Sequence, residues 1–143
     1  MRFMVIVKAT KDSENEGAPP DPQLMADMNK FNDELVKAGV LLASEGLHPS
    51  SKGARVHFSG KNRTVTDGPF AESKEVIASF WFWRVKSLEE AIEWVKRCPN
   101  EGETDIEIRQ VFEPEDFASA FNDEEIQKEK QFRARMAANA AKK

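Results

Sequence analysis

An α+β domain, built as two βαβ halves joined through a small hairpin, is the fold this sequence predicts. Three observations predict it. Short runs of β-formers alternate with stretches of helical period, a hairpin signal separates the two halves, and the element order recurs although the residues do not.

The first element is Phe3 to Val7, a short β-former run read as a buried strand. Residues 11–20, KDSENEGAPP, form a polar loop. Asp21-Pro22 then supplies an N-cap followed by proline at the first helical position. Leu24, Met28, Phe31 and Leu35 recur at spacings of four, three and four, which marks one face of a helix over 21–38. Gly39 stands where a helix-ending glycine is expected. Val40 to Ala43 reads as a second buried strand, and Gly46 to Gly53, with His48, as a loop. Ala54 to Ser59 alternates apolar and polar like a half-buried strand. Gly60-Lys61-Asn62 is a hairpin turn, and Arg63 to Thr66 returns.

Asp67-Gly68-Pro69 reverses the chain ahead of a long strand, Val76 to Val85. There Phe80 and Phe82 point one way, Trp81 and Trp83 the other. Ser87, with Glu90 three residues on, forms a capping box for a helix whose apolar stripe is Leu88, Ala91, Ile92 and Val95. Ile106 and Ile108, extending toward Val111-Phe112, make the last strand, with Glu107 and Arg109 on its other face. The order β-α-β, hairpin, β-α-β is ferredoxin-like, with both helices on one side of the sheet. The other side must still carry Phe80 and Phe82, and a second copy packed sheet to sheet is the economical cover, which predicts a homodimer.

The domain is expected to span 1–121. From 122 to 143 the chain reads as a charged, mostly solvated helical tail, with a capping box at Asn122 and Glu125 and i,i+4 pairs Glu124–Lys128 and Glu129–Arg133.

Totals exclude several functions. With 143 residues, 40% hydrophobic and 32% charged, the chain suits a folded domain with an appended segment. A net charge of −4 and a pI near 5.3 argue against direct nucleic-acid binding. No apolar run suits a membrane span or a signal peptide, and a single cysteine, Cys98, fits a cytoplasmic location. Two isolated histidines and one cysteine give no metal spacing, so no metal or other cofactor is expected. Cys98 ends a helix, where the dipole disfavours a thiolate.

Candidate site residues cluster around the turn. Asp67 is either a turn-former or a carboxylate held over a cavity, and His48 is the candidate partner base. Phe70, Glu72 and Lys74 follow Asp67 directly, where they could contact a ligand or form part of a solvated charge cluster. Arg55 could clamp a carboxylate or phosphate. Arg109 could do the same, although pairing with Glu107 is favoured. Trp81 could stack on a ligand, although core and interface roles are commoner.

The stretch VTDGPFAESKE, the aromatic strand after it, VKSLEEAIEWVKRCP and IEIRQVFE together resemble the YCII-related family in its DGPF-motif branch. The resemblance runs from about Met1 to Phe121. It implies a ferredoxin-like domain that dimerises into an α/β-barrel-like body, with a pocket near the dimer seam. It also implies a helix histidine paired with the turn aspartate for acid–base work. Asp67 matches the aspartate. The histidine position falls near Met28, and no histidine lies in 21–38, so the dyad is incomplete. Two functions are therefore expected as alternatives. One is a small cofactor-free enzyme performing an elimination, isomerisation or hydrolysis on a small metabolite. The other is a non-catalytic dimeric ligand-sensing or regulatory accessory protein, which the resemblance links to alternative sigma factors.

Overall fold

A computed structural model describes residues 1–71, 75–100 and 102–142. The elements run β1 (Arg2–Lys8), α1 (Pro22–Lys37), β2 (Leu41–Gly46), β3 (Ala54–Ser59), β4 (Asn62–Asp67), β5 (Ile77–Arg84), α2 (Leu88–Lys96), β6 (Ile106–Gln110) and α3 (Asp123–Ala140). Contacts divide the chain into two compact units, Met1–Gln110 and Val111–Lys143.

In the first unit four strands form a sheet in the order β2-β5-β1-β6. β1 runs antiparallel to both β5 and β6, and β2 antiparallel to β5. It follows that β1 and β2 are parallel across α1, and β5 and β6 across α2. This is the split βαβ order read from the sequence.

Alternation along the central strands sorts the side chains between the two faces. Phe3 and Val5 on β1 lie opposite Trp83 and Trp81 on β5. These four join Phe31 and Leu35 of α1 and Ala91 of α2 in one core, so both helices cover the same face. Phe31 meets Trp81 and Trp83 edge-on, at centroid distances of 6.1 and 6.3 Å. The Trp81 indole N–H donates to Asn32 Oδ1 at 3.0 Å, whereas that of Trp83 is buried without a partner.

On the other face Met4 and Ile6 lie opposite Phe82 and Phe80. Ile6 is 8% exposed and the other three are half-buried, so this face is less bare than the sequence reading required. Phe80 and Phe82 pack edge-on at 5.7 Å. At the β6 edge, Glu107 pairs with Lys8 at 3.7 Å and with Arg109 at 3.6 Å, which answers the question about Arg109 in favour of pairing.

Local signals act largely as read at the helix ends; the exception is the box expected at Ser87, where the Glu90 carboxylate accepts from Lys86 N–H rather than from Ser87 N–H. Asp21 Oδ1 accepts from Gln23 N–H, Ser87 Oγ from Glu90 N–H, and Gly39 takes φ 72° beyond α1. In the second unit Asn122 and Glu125 satisfy each other's backbone N–H groups at the start of α3. Phe112, Phe117 and Phe121 stack in series, at 4.9 and 5.3 Å.

Three expectations are corrected. β2 is longer than Val40–Ala43 and is largely exposed, because it forms the edge of the sheet and pairs with β5 alone. On α2 the core-facing stripe is Ala91, Trp94 and Val95, continued past the helix end by Cys98, while Leu88 and Ile92 are exposed. The helix is rotated toward its tryptophan, whose area outweighs that of the aliphatic pair. The hairpin β3–β4 pairs as read, turning at Gly60 with φ 57°, but every residue in it is exposed rather than half-buried. Its two strands form a separate sheet, which is too small to have an inside of its own.

Candidate functional site

The site is assembled from loops fixed to the sheet. Leu47 N–H donates to Ala78 O at 2.8 Å, continuing the β2–β5 ladder, and Ala9 N–H donates to Val76 O at 2.7 Å. These bonds anchor the segment after β2 and the entry to β5. The base of the hairpin closes between them, with Gly68 N–H donating to Gly53 O at 3.0 Å.

A hydrogen-bonded chain then ties three distant segments together. Ser50 is the one buried polar side chain among the described residues. Its N–H donates to Glu14 Oε1 at 3.0 Å, and its hydroxyl donates to Glu14 Oε2. The same hydroxyl accepts the Phe70 N–H at 3.1 Å. Ser51 Oγ adds a bond to Glu16 Oε1 at 2.7 Å. Burying a hydroxyl and a backbone N–H is tolerable because each has a partner, and bonds to a carboxylate are the strong kind.

Beside this chain lies an open hollow of about 420 Å³. Its wall includes His48, Ser50, Lys52, Arg55, Phe70 and Glu75, with Leu47, Val76 and Ile77 as apolar lining. The Arg55 guanidinium lies over the Phe70 ring, 3.8 Å from its centroid, in cation–π contact. His48, Lys52, Arg55 and Glu75 are all exposed and so reachable by a ligand from solvent.

Of the candidates read from the sequence, the fold brings His48, Arg55 and Phe70 to this wall. Asp67 is exposed at the end of β4 and is not part of the wall. Strand alternation explains this: Asp67 pairs with Ala54 and shares its face with Val65 and Val56, whereas Arg55 pairs with Thr66 and projects from the opposite face. Trp81 is 4% exposed in the core beneath α1, since its place on β5 turns it toward the helices. Glu72 and Lys74 lie outside the described residues. Sequence reasoning did not single out Ser50, Lys52 or Glu75 as site residues, though all stood within segments marked as polar. Glu14 gave no signal, because its partner is 36 residues away.

Among the described residues no three histidine, cysteine, aspartate or glutamate side chains gather as a metal-ligand set. No helix among them is long and apolar enough to cross a membrane. Burial pushes the Cys98 thiol up to about 11. At pH 8 its alkylation by iodoacetamide is expected to be about a hundredfold slower in the folded protein than in the unfolded chain. The sign for stability follows from the same shift. The folded state favours the neutral thiol, so this contribution is present below pH 9 and is lost as the pH rises from about 9 toward 11.

Comparison with known proteins places the chain. An uncharacterised protein of Rhizobium meliloti (strain 1021) is 32% identical over 80 residues, a match covering 56% of this chain and 64% of that protein. The chain thus spans a little under two thirds of that relative's length. The YCII-related domain matches residues 1–115, which takes in the whole sheet, both of its helices, the hairpin and every residue of the hollow's wall, and the chain belongs to that family.

Proposed function

We propose that the chain is a small cofactor-free enzyme that moves a proton on a small metabolite held in the hollow beside the Gly68-Pro69 turn. One observation carries this reading: His48 and Glu75, two groups able to exchange a proton, share one wall with Arg55, Lys52 and Phe70, which can orient a ligand. Elimination, isomerisation and hydrolysis all fit such a pair. His48 would carry the proton and Glu75 would hold or receive it. Asp67 would join them only in an assembly that turns the hairpin face toward a hollow. We place the enzyme in the cytoplasm as a homodimer. The two sheets would meet on the Met4, Ile6, Phe80 and Phe82 face, giving the α/β-barrel body typical of ferredoxin-like pairs.

The test begins with a metabolite screen by thermal shift, because a ligand that binds the folded state raises its apparent stability. With a turned-over hit in hand, His48→Gln is expected to lower kcat/KM about a hundredfold or more while ligand affinity changes little. Undiminished turnover in that variant would remove His48 as the proton carrier, and a screen whose every hit is recovered unchanged would remove the enzyme reading.

A second reading has its own support. Asp67 stands off the wall, and α1 carries no histidine, so the family-like dyad is not assembled within one chain. A dimeric sensing or regulatory accessory protein, of the kind associated with alternative sigma factors, would keep the hollow and need no proton transfer. Ligands that raise the melting temperature yet are recovered unchanged would favour it.

A further inference from the structure

Four arginines elsewhere in the chain find oxygen acceptors. Arg63 Nη1 donates to Gly60 O and Asn62 O at 2.8 and 2.9 Å while its guanidinium lies over Phe58. Arg97 is bound to Glu34, Arg109 to Glu107, and Arg133 to Glu129. Arg55 differs. It is stacked on Phe70, yet among the described residues no oxygen accepts from its guanidinium. Lys52, on the same wall, likewise has no acceptor among them, and no ion pair joins Glu75 to either.

A guanidinium is a planar fork of donors matched to the two oxygens of a carboxylate or the edge of a phosphate. Stacking fixes the plane of that fork before a ligand arrives, so less freedom is lost on binding. The stack is itself held from behind, because Phe70 N–H is bound to Ser50 Oγ and Ser50 to Glu14. Lys52 adds a second positive charge on a mobile stem.

We infer that the hollow recognises an oxyanion, a carboxylate or a phosphate group of its ligand, with Arg55 as the binding fork, Lys52 as the accessory charge, and Ser50 as the residue that positions Phe70. This rests on the reading of the hollow as a ligand site and supplies the substrate class that reading lacks. The chain's net charge of −4 offers an anion no general attraction, so a local cationic wall has to supply it.

The test is an NMR titration of the 15N-labelled full chain with inorganic phosphate, with benzoate, and with neutral benzamide. Saturable shifts are expected at the Lys52, Gly53, Arg55 and Phe70 amides with phosphate or benzoate, and none with benzamide. Saturation by phosphate alone identifies a phosphate-bearing ligand, and saturation by benzoate alone a carboxylate. Arg55→Ala is expected to weaken binding at least tenfold without changing the melting temperature. Arg55→Lys should fail to restore it, because an ammonium keeps the charge but not the fork. The inference is overturned if benzamide matches benzoate, if Arg55→Ala binds as the parent does, or if neither oxyanion saturates. His48→Gln separates this result from the catalytic proposal. It should still bind the oxyanion: lost turnover in His48→Gln together with unchanged binding in Arg55→Ala would sink the inference alone, and retained turnover in His48→Gln together with lost binding in Arg55→Ala would sink the His48 mechanism alone.

Discussion

Replacing Trp83 by alanine is expected to lower the free energy of unfolding by about 4 kcal/mol. The indole is fully buried near the C-terminal end of β5, opposite Phe3 on one side and Leu41 on the other. Its ring packs against Trp81 at 5.6 Å and Phe31 at 6.3 Å, so truncation empties the centre of the sheet's covered face. Rigid β-strands on one side and α1 on the other limit how far the site can collapse, which keeps the cost near the upper part of the usual range. Trp83→Phe should behave differently. The Trp83 N–H is buried without a partner, and an unsatisfied donor costs about 1–3 kcal/mol. Removing it offsets part of the lost volume, so a net loss of about 1 kcal/mol is expected. Trp81→Phe should cost more than Trp83→Phe, because it breaks a bond to Asn32. Urea unfolding followed by far-UV circular dichroism gives all three values. Equal losses for Trp83→Phe and Trp81→Phe would show that the unpaired N–H carries no penalty.

Gly68→Ala is the second large effect, at about 3 kcal/mol. A Cβ on Gly68 would stand 1.7 Å from the Ser50 carbonyl oxygen and 2.6 Å from its carbon. Both are backbone atoms, so no side chain can swing aside. The two loops would have to part, and with them the Gly68–Gly53 bond and the Ser50 hydroxyl's hold on Phe70. Because Ser50 and Phe70 line the hollow, ligand binding should fall together with stability. Gly46→Ala is the matched control. Nothing lies within 4 Å of a Cβ there, and the change should stay within about 0.5 kcal/mol. Comparable melting temperatures for the two variants would refute the close-approach argument.

Gly68 also shows what the sequence could and could not disclose. Its neighbours announced a chain reversal, and the reversal is there. The reason for a glycine is a carbonyl eighteen residues upstream, and no local pattern encodes that contact. Elements with a period or a cap were legible for the opposite reason: their signals are short-range. Asp21, Ser87 and Asn122 cap the helices they were read as capping, and β5 divides its phenylalanines from its tryptophans as alternation requires. What alternation could not say is whether a strand has anything to pack against. β2 and the hairpin are exposed because of their places in the topology, which a one-dimensional pattern does not record.

The site divides along the same line. His48, Arg55 and Phe70 were nominated by residue type and nearness to the turn, and the fold gathers them. Asp67 had the stronger motif and lies elsewhere, because parity along β4 sends it to the face away from Arg55. Counting residues from Arg55 and from Asp67 through the hairpin register would have separated them, once the register was known.

The bond from Ser50 to Glu14 limits how portable the turn is. Moving residues 64–71 into another scaffold would carry over the sharp reversal but leave the Phe70 amide with nothing to lean on. A working graft needs three pieces of chain: the turn, the serine loop, and an acid supplied from the stretch that follows the first strand. The same holds for variation: a change at position 14, remote in sequence from every residue of the wall, should be felt there as a loosened aromatic ring.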